Sequence, residues 1–279
     1  MTDETAAREF AGALEAAVED TVPVSWSETP DQAGWQVEAY WEGPDAATEK
    51  AIRAVARTAG LARGLVIEEL ADIDWVTRTL EGLAPIRAGR FVVHGSHDRA
   101  KPLANDIAIE IDAAQAFGTG HHGTTAGCLE ALFDLHKARA FRSALDVGTG
   151  TGVLAIAIAK LWKIPVLASD IDPVAVRIAA ENARVNGVAG GFTAVEAIGF
   201  GHPLLRDGRF DLIVANILAG PLARLAPDVA RHLTPDGVVV LSGLLPPQRA
   251  KILAAYRGQG LRHRRSLYRD GWLTLVLRP

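Results

Sequence analysis

The sequence predicts an α/β protein: a mostly parallel sheet covered by helices, with an antiparallel edge, preceded by a small α+β unit. Three observations predict it. Ser143-Ala144-Leu145-Asp146-Val147 is a short apolar run broken by an acid; Gly148, Gly150 and Gly152 follow at alternate positions, and Val153 to Ala159 is apolar again. That order reads as strand, tight turn and buried helix, the opening of a βαβ unit. Next, Pro165 to Asp170 reads as the following parallel strand, with its terminal carboxylate 22 residues beyond Gly148. Lastly, strands and helices alternate from there to a closing hairpin around Arg269-Asp270-Gly271, which implies a parallel sheet with an antiparallel edge.

The glycine turn has two readings. It is a tight strand-to-helix connection, or it is a place where a ligand lies against bare main chain, since glycine takes φ > 0 and has no Cβ. The N–H groups at the start of the following helix add a positive dipole end. A dinucleotide site wants its third glycine two residues after the second. Here that place is Val153 and the glycine falls one earlier, at Gly152. Asp170, at the tip of the second strand, suits a grip on ribose hydroxyls. Asp172 precedes Pro173 and a helical run, so it is expected to cap that helix with Pro173 in the first turn.

Taken in order, residues 2–20 carry apolar side chains at helical spacing (Ala6, Phe10, Leu14, Ala17, Val18). Val22–Trp26 and Gln36–Trp41 read as strands, 46–58 as a helix and Leu65–Leu70 as a further strand, an α-β-β-α-β layer close to a ferredoxin-like unit. Trp26, Trp35, Trp41 and Trp75 fall in or just after it and are expected to pack in core or hinge. We divide the chain into a recognition unit at 1–70, a linker at 71–95, within which Phe91-Val92-Val93-His94 reads as a strand-like piece, and the main domain at 96–279. Ile107–Asp112 alternates as a strand, and the loop from Ala116 to Thr125 opens a helix running to about Lys137. Its glycines and hydroxyls form either a polar nest over a ligand or an ordinary N-cap at Thr124 or Thr125. Further on, 173–186 reads as a helix, Thr193–Val195 and Phe210–Asn216 as strands, 223–233 as a helix, Gly237–Leu241 as a strand and 248–258 as a helix.

Composition excludes several classes. With 279 residues, 49% hydrophobic and 22% charged, the chain has the make-up of a globular protein. No apolar run is long enough to cross a bilayer, and the first residues are acidic rather than signal-like; the cytoplasm and no membrane partner are the expectation. The single cysteine, Cys128, excludes an internal disulfide and a cysteine-rich metal site, and its apolar neighbours place it in a helix core. His94 and His97 lack a third ligand at a useful spacing, so no metal is expected. A net charge of −4 makes no case for direct nucleic-acid binding.

Four blocks carry a more specific resemblance: Ala116-Phe117-Gly118-Thr119-Gly120 through Thr124-Thr125, Asp146 to Gly152, Asp170-Ile171-Asp172-Pro173, and Val214-Ala215-Asn216-Ile217-Leu218-Ala219-Gly220-Pro221-Leu222. Over roughly residues 107–279 the chain resembles the PrmA family of bacterial ribosomal protein L11 methyltransferases, within the class I S-adenosylmethionine-dependent methyltransferases. The resemblance implies a seven-stranded Rossmann-like domain that binds S-adenosyl-L-methionine, and a small N-terminal domain that recognises L11, free or on the ribosome. It implies methylation of lysine side chains and the N-terminal amine. By position in the motifs, Thr125, Gly148, Asp170 and Asn216 are the implied cofactor contacts, together with Phe117, Gly118, Thr119, Gly150 and Gly152; Asn216 is the implied catalytic residue. The chain departs from the family at Ala113-Ala114, where Pro-Gly is usual, and at His121 and Gly123, where Thr and Pro are usual.

These residues suit methyl transfer to an amine. The donor is already electrophilic, so in-line positioning and a neutral nucleophile are what the protein must supply. A free lysine titrates near 10.4, and neutralising it at pH 7 costs about 4–5 kcal/mol; burial beside a sulfonium offsets part of this. The Asn216 amide oxygen and the Ile217 carbonyl can accept N–H bonds and aim the lone pair, whereas a carboxylate would favour the ammonium. Enzymes that methylate nucleobase amines commonly carry an aromatic three residues after the matching Asn or Asp; here that position is Ala219, which argues for an aliphatic amine. A helix N-cap or strand-end turn is the alternative role for Asn216. The competing functions are methylation of RNA or of a small-molecule amine, an NAD(P)-binding oxidoreductase, and an inactive fold that only binds partners.

Overall fold

The computed structural model describes residues 4–18, 22, 24–29, 34–41, 45–67, 86–95, 105–111 and 122–279. By internal packing the chain divides into Met1–Leu70 and Ala71–Pro279.

In the first unit, helix α1 (Glu4–Ala17), strands β1 (Val24–Glu28) and β2 (Trp35–Ala39) and helix α2 (Ala46–Thr58) follow one another. The two strands form an antiparallel hairpin. Ala11 and Leu14 of α1, Val24 and Ile52 make its core, with Trp26 and Trp41 packed against it, so these two tryptophans serve the core; Trp75 lies outside the described residues. Asp45 caps α2 by accepting from the Ala47 N–H at 3.0 Å. The strand expected at Leu65–Leu70 is a correction: Ala62–Gly64 form a short 3-10 turn and Leu65–Ile67 continue without strand pairing. The turn ends at Gly64, and Leu65, Val66 and Ile67 leave it as consecutive apolar residues with no alternation to pair one face against a neighbouring strand; residues 68–70 lie outside the described residues.

The second unit begins inside the stretch expected to be a linker. Strands β3 (Ile86–Ala88) and β4 (Phe91–His94) pair antiparallel, and β4 pairs in parallel with β5 (Ile107–Glu110). Ala88 and Phe91 are fully buried in the main core, so the end of 71–95 is built into the domain. The apolar triplet Phe91-Val92-Val93 is short in sequence, and only its partners β3 and β5 give it a place to be buried.

The remaining elements are α3 (His122–Ala138), β6 (Ala144–Val147), α4 (Val153–Trp162), β7 (Val166–Asp170), α5 (Pro173–Val185), β8 (Phe192–Glu196), α6 (Pro203–Arg206), β9 (Phe210–Asn216), α7 (Ala219–His232), β10 (Leu233–Leu244), α8 (Arg249–Arg257), β11 (Arg262–Arg269) and β12 (Trp272–Arg278). Among the described residues seven strands form one mixed sheet in the order β11-β12-β10-β9-β6-β7-β8. The strands from β10 to β8 run parallel, and β12 is antiparallel to both β10 and β11.

Burial on both faces explains the apolar runs in β9 and β10. Leu212, Val214, Val238 and Val240 face the core under α3 and α4, while Ile213, Ala215, Val239 and Leu241 face the core under α7 and α8. A strand covered on both sides reads as a continuous hydrophobic run rather than an alternating one. The β11–β12 turn takes positive φ at Asp270 (48°) and Gly271 (80°), as a two-residue hairpin turn of right-handed strands requires. Strand order reverses at β6, with β7 on one side and β9 on the other. The carboxyl ends of adjacent strands at such a switch point are where open α/β sheets bind ligands.

Candidate active site at the ends of β6, β7 and β9

Asp146 organises the glycine turn from beneath. Its Oδ2 accepts from the Thr149 hydroxyl (2.7 Å) and from the Ala155 N–H (3.1 Å), tying the turn to the first residues of α4. Its Oδ1 is buried without a hydrogen-bond partner among the described residues. Burial pushes the carboxyl up to about 7; the bonds from Thr149 and Ala155 oppose this and the nearby Asp170 charge adds to it. In the unfolded chain the group titrates near 3.8, so between about pH 4 and 7 the folded state binds the extra proton. Stability contributed by this group is therefore fully present below about pH 4 and is lost as pH rises through about 7. Asp146→Asn, measured against wild type by urea unfolding from pH 5 to 8, is expected to remove that downward slope; identical pH dependence in both proteins would count against it.

The turn above Asp146 uses the conformational freedom of glycine at three positions, with φ of 70° at Gly148, 53° at Gly150 and 85° at Gly152. The Gly148 and Thr149 N–H groups donate to the Ser169 carbonyl on β7 (2.8 and 3.0 Å). Asn182 of α5 donates to the Thr151 carbonyl (2.8 Å). A Cβ at Gly148 would overlap Cγ2 of Ile217, and one at Gly152 would lie 3.1 Å from the Ala179 Cβ on α5. Gly152 thus brings α5 against the turn, and Gly148 lets the Ile217 side chain, in the segment that follows β9, pack directly on the turn.

Asp170 ends β7 and is half-buried. Its Oδ2 accepts from the Gly150 N–H (2.8 Å) and its Oδ1 from the Asp172 N–H (3.1 Å). Each oxygen keeps a lone pair for a further donor. Asp172 caps α5 by accepting from Val174 N–H (2.7 Å), with Pro173 in the first turn.

Asn216 ends β9, half-buried. Its amide nitrogen donates to the Thr124 hydroxyl at 3.3 Å, which turns the amide oxygen the other way. It caps no helix: Leu218 holds the cap position of α7 and makes no side-chain bond. Neither Thr124 nor Thr125 is an N-cap, because α3 begins at His122; both are buried inside its first turn. Behind Thr124 stands a line of buried hydroxyls. Ser242 of β10 donates to the Thr124 carbonyl (3.3 Å) and shares a hydrogen bond with Thr274 of β12 (2.9 Å). Cys128 is buried in the core on α3, and desolvation pushes its thiol up to about 12, consistent with packing rather than chemistry.

The structure therefore brings Gly148, Gly150, Gly152, Asp170 and Asn216 to one end of the sheet, with Thr124 bonded to Asn216 and Thr125 beside it in α3. Phe117, Gly118 and Thr119 lie outside the described residues. Sequence reasoning missed Thr124 as the Asn216 partner, and Ser242, Thr274, Asn182 and Gly243. Gly243 has φ +79°, and a Cβ there would overlap the Ile217 carbonyl oxygen and lie 2.8 Å from its carbon. No spacing rule links residue 243 to 217; the one usable signal was a glycine late in an apolar strand.

A sequence model of the family described as ribosomal protein L11 methyltransferase (PrmA) matches residues 5–279. The chain belongs to this family. Relatives in it include the ribosomal protein L11 methyltransferase of Rhizobium leguminosarum bv. trifolii, 56% identical over 86% of this chain and 83% of that protein. That of Mesorhizobium japonicum is 51% identical over 99% and 97%. The crystal structure of ribosomal protein L11 methylase from Lactobacillus delbrueckii subsp. bulgaricus superposes with a TM-score of 0.64 at 31% identity, over 70% of this chain and 98% of that one. Gly123, where the resemblance implied a proline, lies against the tip of the β11–β12 hairpin. A Cβ there would sit 2.7 Å from the Arg269 carbonyl oxygen and 2.9 Å from the Trp272 ring, so the tip of the β11–β12 hairpin occupies the side-chain space. Among the described residues no group of His, Cys, Asp and Glu could hold a metal, and no helix is long and apolar enough to cross a membrane.

Proposed function

We propose that this chain transfers methyl groups from S-adenosyl-L-methionine to amine nitrogens of ribosomal protein L11, at lysine side chains and the N-terminus, in the cytoplasm. The observation that carries the reading is the pairing of a neutral carboxamide, Asn216, held by Thr124, with a positive-φ glycine turn at the adjacent strand end. Family membership supplies the substrate, since the relatives that match nearly the whole chain are named for L11. One feature fits a sulfonium nucleoside directly: Asp146 Oδ1, at the base of the glycine turn, is a buried polar atom lacking a hydrogen-bond partner among the described residues.

In this reading Gly148, Gly150 and Gly152 let the cofactor lie along the turn, Asp170 accepts from its ribose, and Thr125 with the Phe117-Gly118-Thr119 loop covers it. When bound, S-adenosylmethionine supplies a methyl carbon that is already electrophilic. Asn216 Oδ1 and the Ile217 carbonyl accept N–H bonds from the neutral amine and point its lone pair at that carbon. Holding the two reactants in line converts a bimolecular step into one within the complex. As the N–C bond forms the C–S bond would break, its electron pair staying on the departing thioether sulfur, and the alkylated nitrogen, then cationic, would give up a proton to solvent.

The direct test supplies methyl-tritiated S-adenosylmethionine and purified ribosomal components, followed by mass spectrometry of whatever takes up label. Label in L11 at lysine or N-terminal amines is expected; label in RNA or in none of the components would overturn the assignment. A finer prediction concerns Asp170→Ala, which should weaken cofactor binding by about 1–3 kcal/mol through loss of a charge-assisted hydrogen bond. Unchanged affinity by calorimetry would remove Asp170 from the ribose site.

A further inference from the structure

Charge on this chain is segregated in a way its net value hides. Residues 249–279 hold eight Lys and Arg and a single acidic residue, whereas residues 1–248 hold 21 Lys and Arg and 32 Asp and Glu. Most of the cationic groups cluster on one strand and the helix before it. Arg262, Arg264, Arg265 and Tyr268 are exposed along β11; Lys251 and Arg257 are exposed on α8, which packs against β11. β11 ends the sheet order among the described residues, so its outer edge carries main-chain groups that no described strand pairs.

Charged residues on an edge strand commonly do no more than prevent edge-to-edge pairing. Three details here go further. Arg262 stands directly opposite Arg278 in register, a like-charge pair that costs stability. The register slips between His263 and Arg265, leaving Arg264 without a paired residue; a bulge of this kind re-aims a side chain. Finally, Arg265 and Arg269 are tied to Asp134 and Glu130 of α3 at 2.7 Å each, while Arg257, Arg262, Arg264 and Arg278 have no ion-pair partner among the described residues. A guard against aggregation needs no such concentration of one sign.

We propose that the β11 edge, with the adjoining exposed side of α8, is an RNA-docking surface. The arginines hold phosphates, whose geometry suits the planar guanidinium fork, and Tyr268, 62% exposed, offers a ring on which a base can stack. A membrane is disfavoured because Tyr268 is the one large hydrophobic side chain exposed on this surface, too little to insert. RNA is preferred to an acidic protein for the aromatic among the arginines and, resting on the reading above, because a ribosomal protein substrate is met in contact with RNA.

The test is fluorescence anisotropy of a labelled stem-loop RNA with the full chain, titrated in salt, for wild type and for Arg257→Gln/Arg262→Gln/Arg264→Gln. Wild type is expected to bind with a steep log–log salt slope. The triple variant should bind about tenfold or more weakly, its slope shallower by about 2. Methylation of isolated L11 by the variant should stay at the wild-type rate, because none of the three residues belongs to the site at the ends of β6, β7 and β9. Equal RNA binding by the two proteins, or no binding by wild type at low salt, overturns the proposal. So does equally variant-sensitive binding to polyglutamate or phosphatidylserine vesicles. Variant-sensitive RNA binding without any methylation of L11 would sink the substrate assignment and leave the docking surface standing.

Discussion

Asn216→Ala is expected to lower kcat/KM for methyl transfer by about 100-fold or more, a larger loss than the accompanying drop in cofactor affinity. The alanine leaves the amine without the acceptor that aims it, and misplacement of a reactant by about 1 Å is enough for a loss of that size. The fold should survive. The variant forfeits the 3.3 Å bond to Thr124, worth about 0.5–1.5 kcal/mol, and no helix loses its cap. Asn216→Asp separates orientation from charge. A carboxylate accepts the same N–H bonds but favours the ammonium, so its activity should be low at neutral pH and recover as pH rises. Steady-state kinetics with L11 as substrate, across pH, checks both variants; wild-type kcat/KM in Asn216→Ala would remove this residue from the mechanism.

Gly243→Ala should be among the most damaging single substitutions outside the cofactor turn. It forces alanine to φ +79° and drives a methyl into the Ile217 carbonyl oxygen. The left-handed backbone costs about 1–2 kcal/mol and the overpacking a further 1–3 kcal/mol. Together these should lower Tm by on the order of 10 °C and displace the carbonyl proposed to hold the amine. Gly148→Ala strains the same neighbour from the other side, but there the added methyl meets the Ile217 side chain. Combining each with Ile217→Ala tells the two apart. The double variant at 148 should recover about 1–2 kcal/mol relative to additivity, leaving only the cost of φ +70°. The double variant at 243 should recover nothing, since shortening Ile217 leaves its main chain in place. Equal recovery in both pairs, by thermal or urea unfolding, would falsify this placement of Ile217.

The candidate site was largely legible in one dimension because its parts are local. Gly148, Gly150 and Gly152 declare a turn that needs positive φ, and Asp170 declares itself by ending the next apolar run. Asp172 with Pro173 spells out a helix start in adjacent residues. The elements that reading misplaced depend on distant partners. Phe91–His94 reads as a strand-like piece within a linker, because its burial depends on β3 and β5, and Leu65–Ile67 is an apolar run that finds no strand to pair with among the described residues.

The charge reading shows the same division. A net charge of −4 sums groups that the fold sorts, and the fold places the cationic ones on an edge strand and its neighbouring helix. Sequence order could not assign an edge to β11, since edge status is a property of which strands lie beside it.

The sequence by itself determined the α/β class, the glycine turn with its acid partner, the family, and Asn216 as the residue to examine, because each rests on local backbone preference or short-range pattern. Only the tertiary structure decided that Thr124, Ser242 and Thr274 line up behind Asn216, and that Gly148 and Gly243 close on Ile217 from two sides. Those contacts join residues 26 to 118 positions apart. Such approaches are set by how helices and strands pack against one another, where a single Cβ is enough to forbid them.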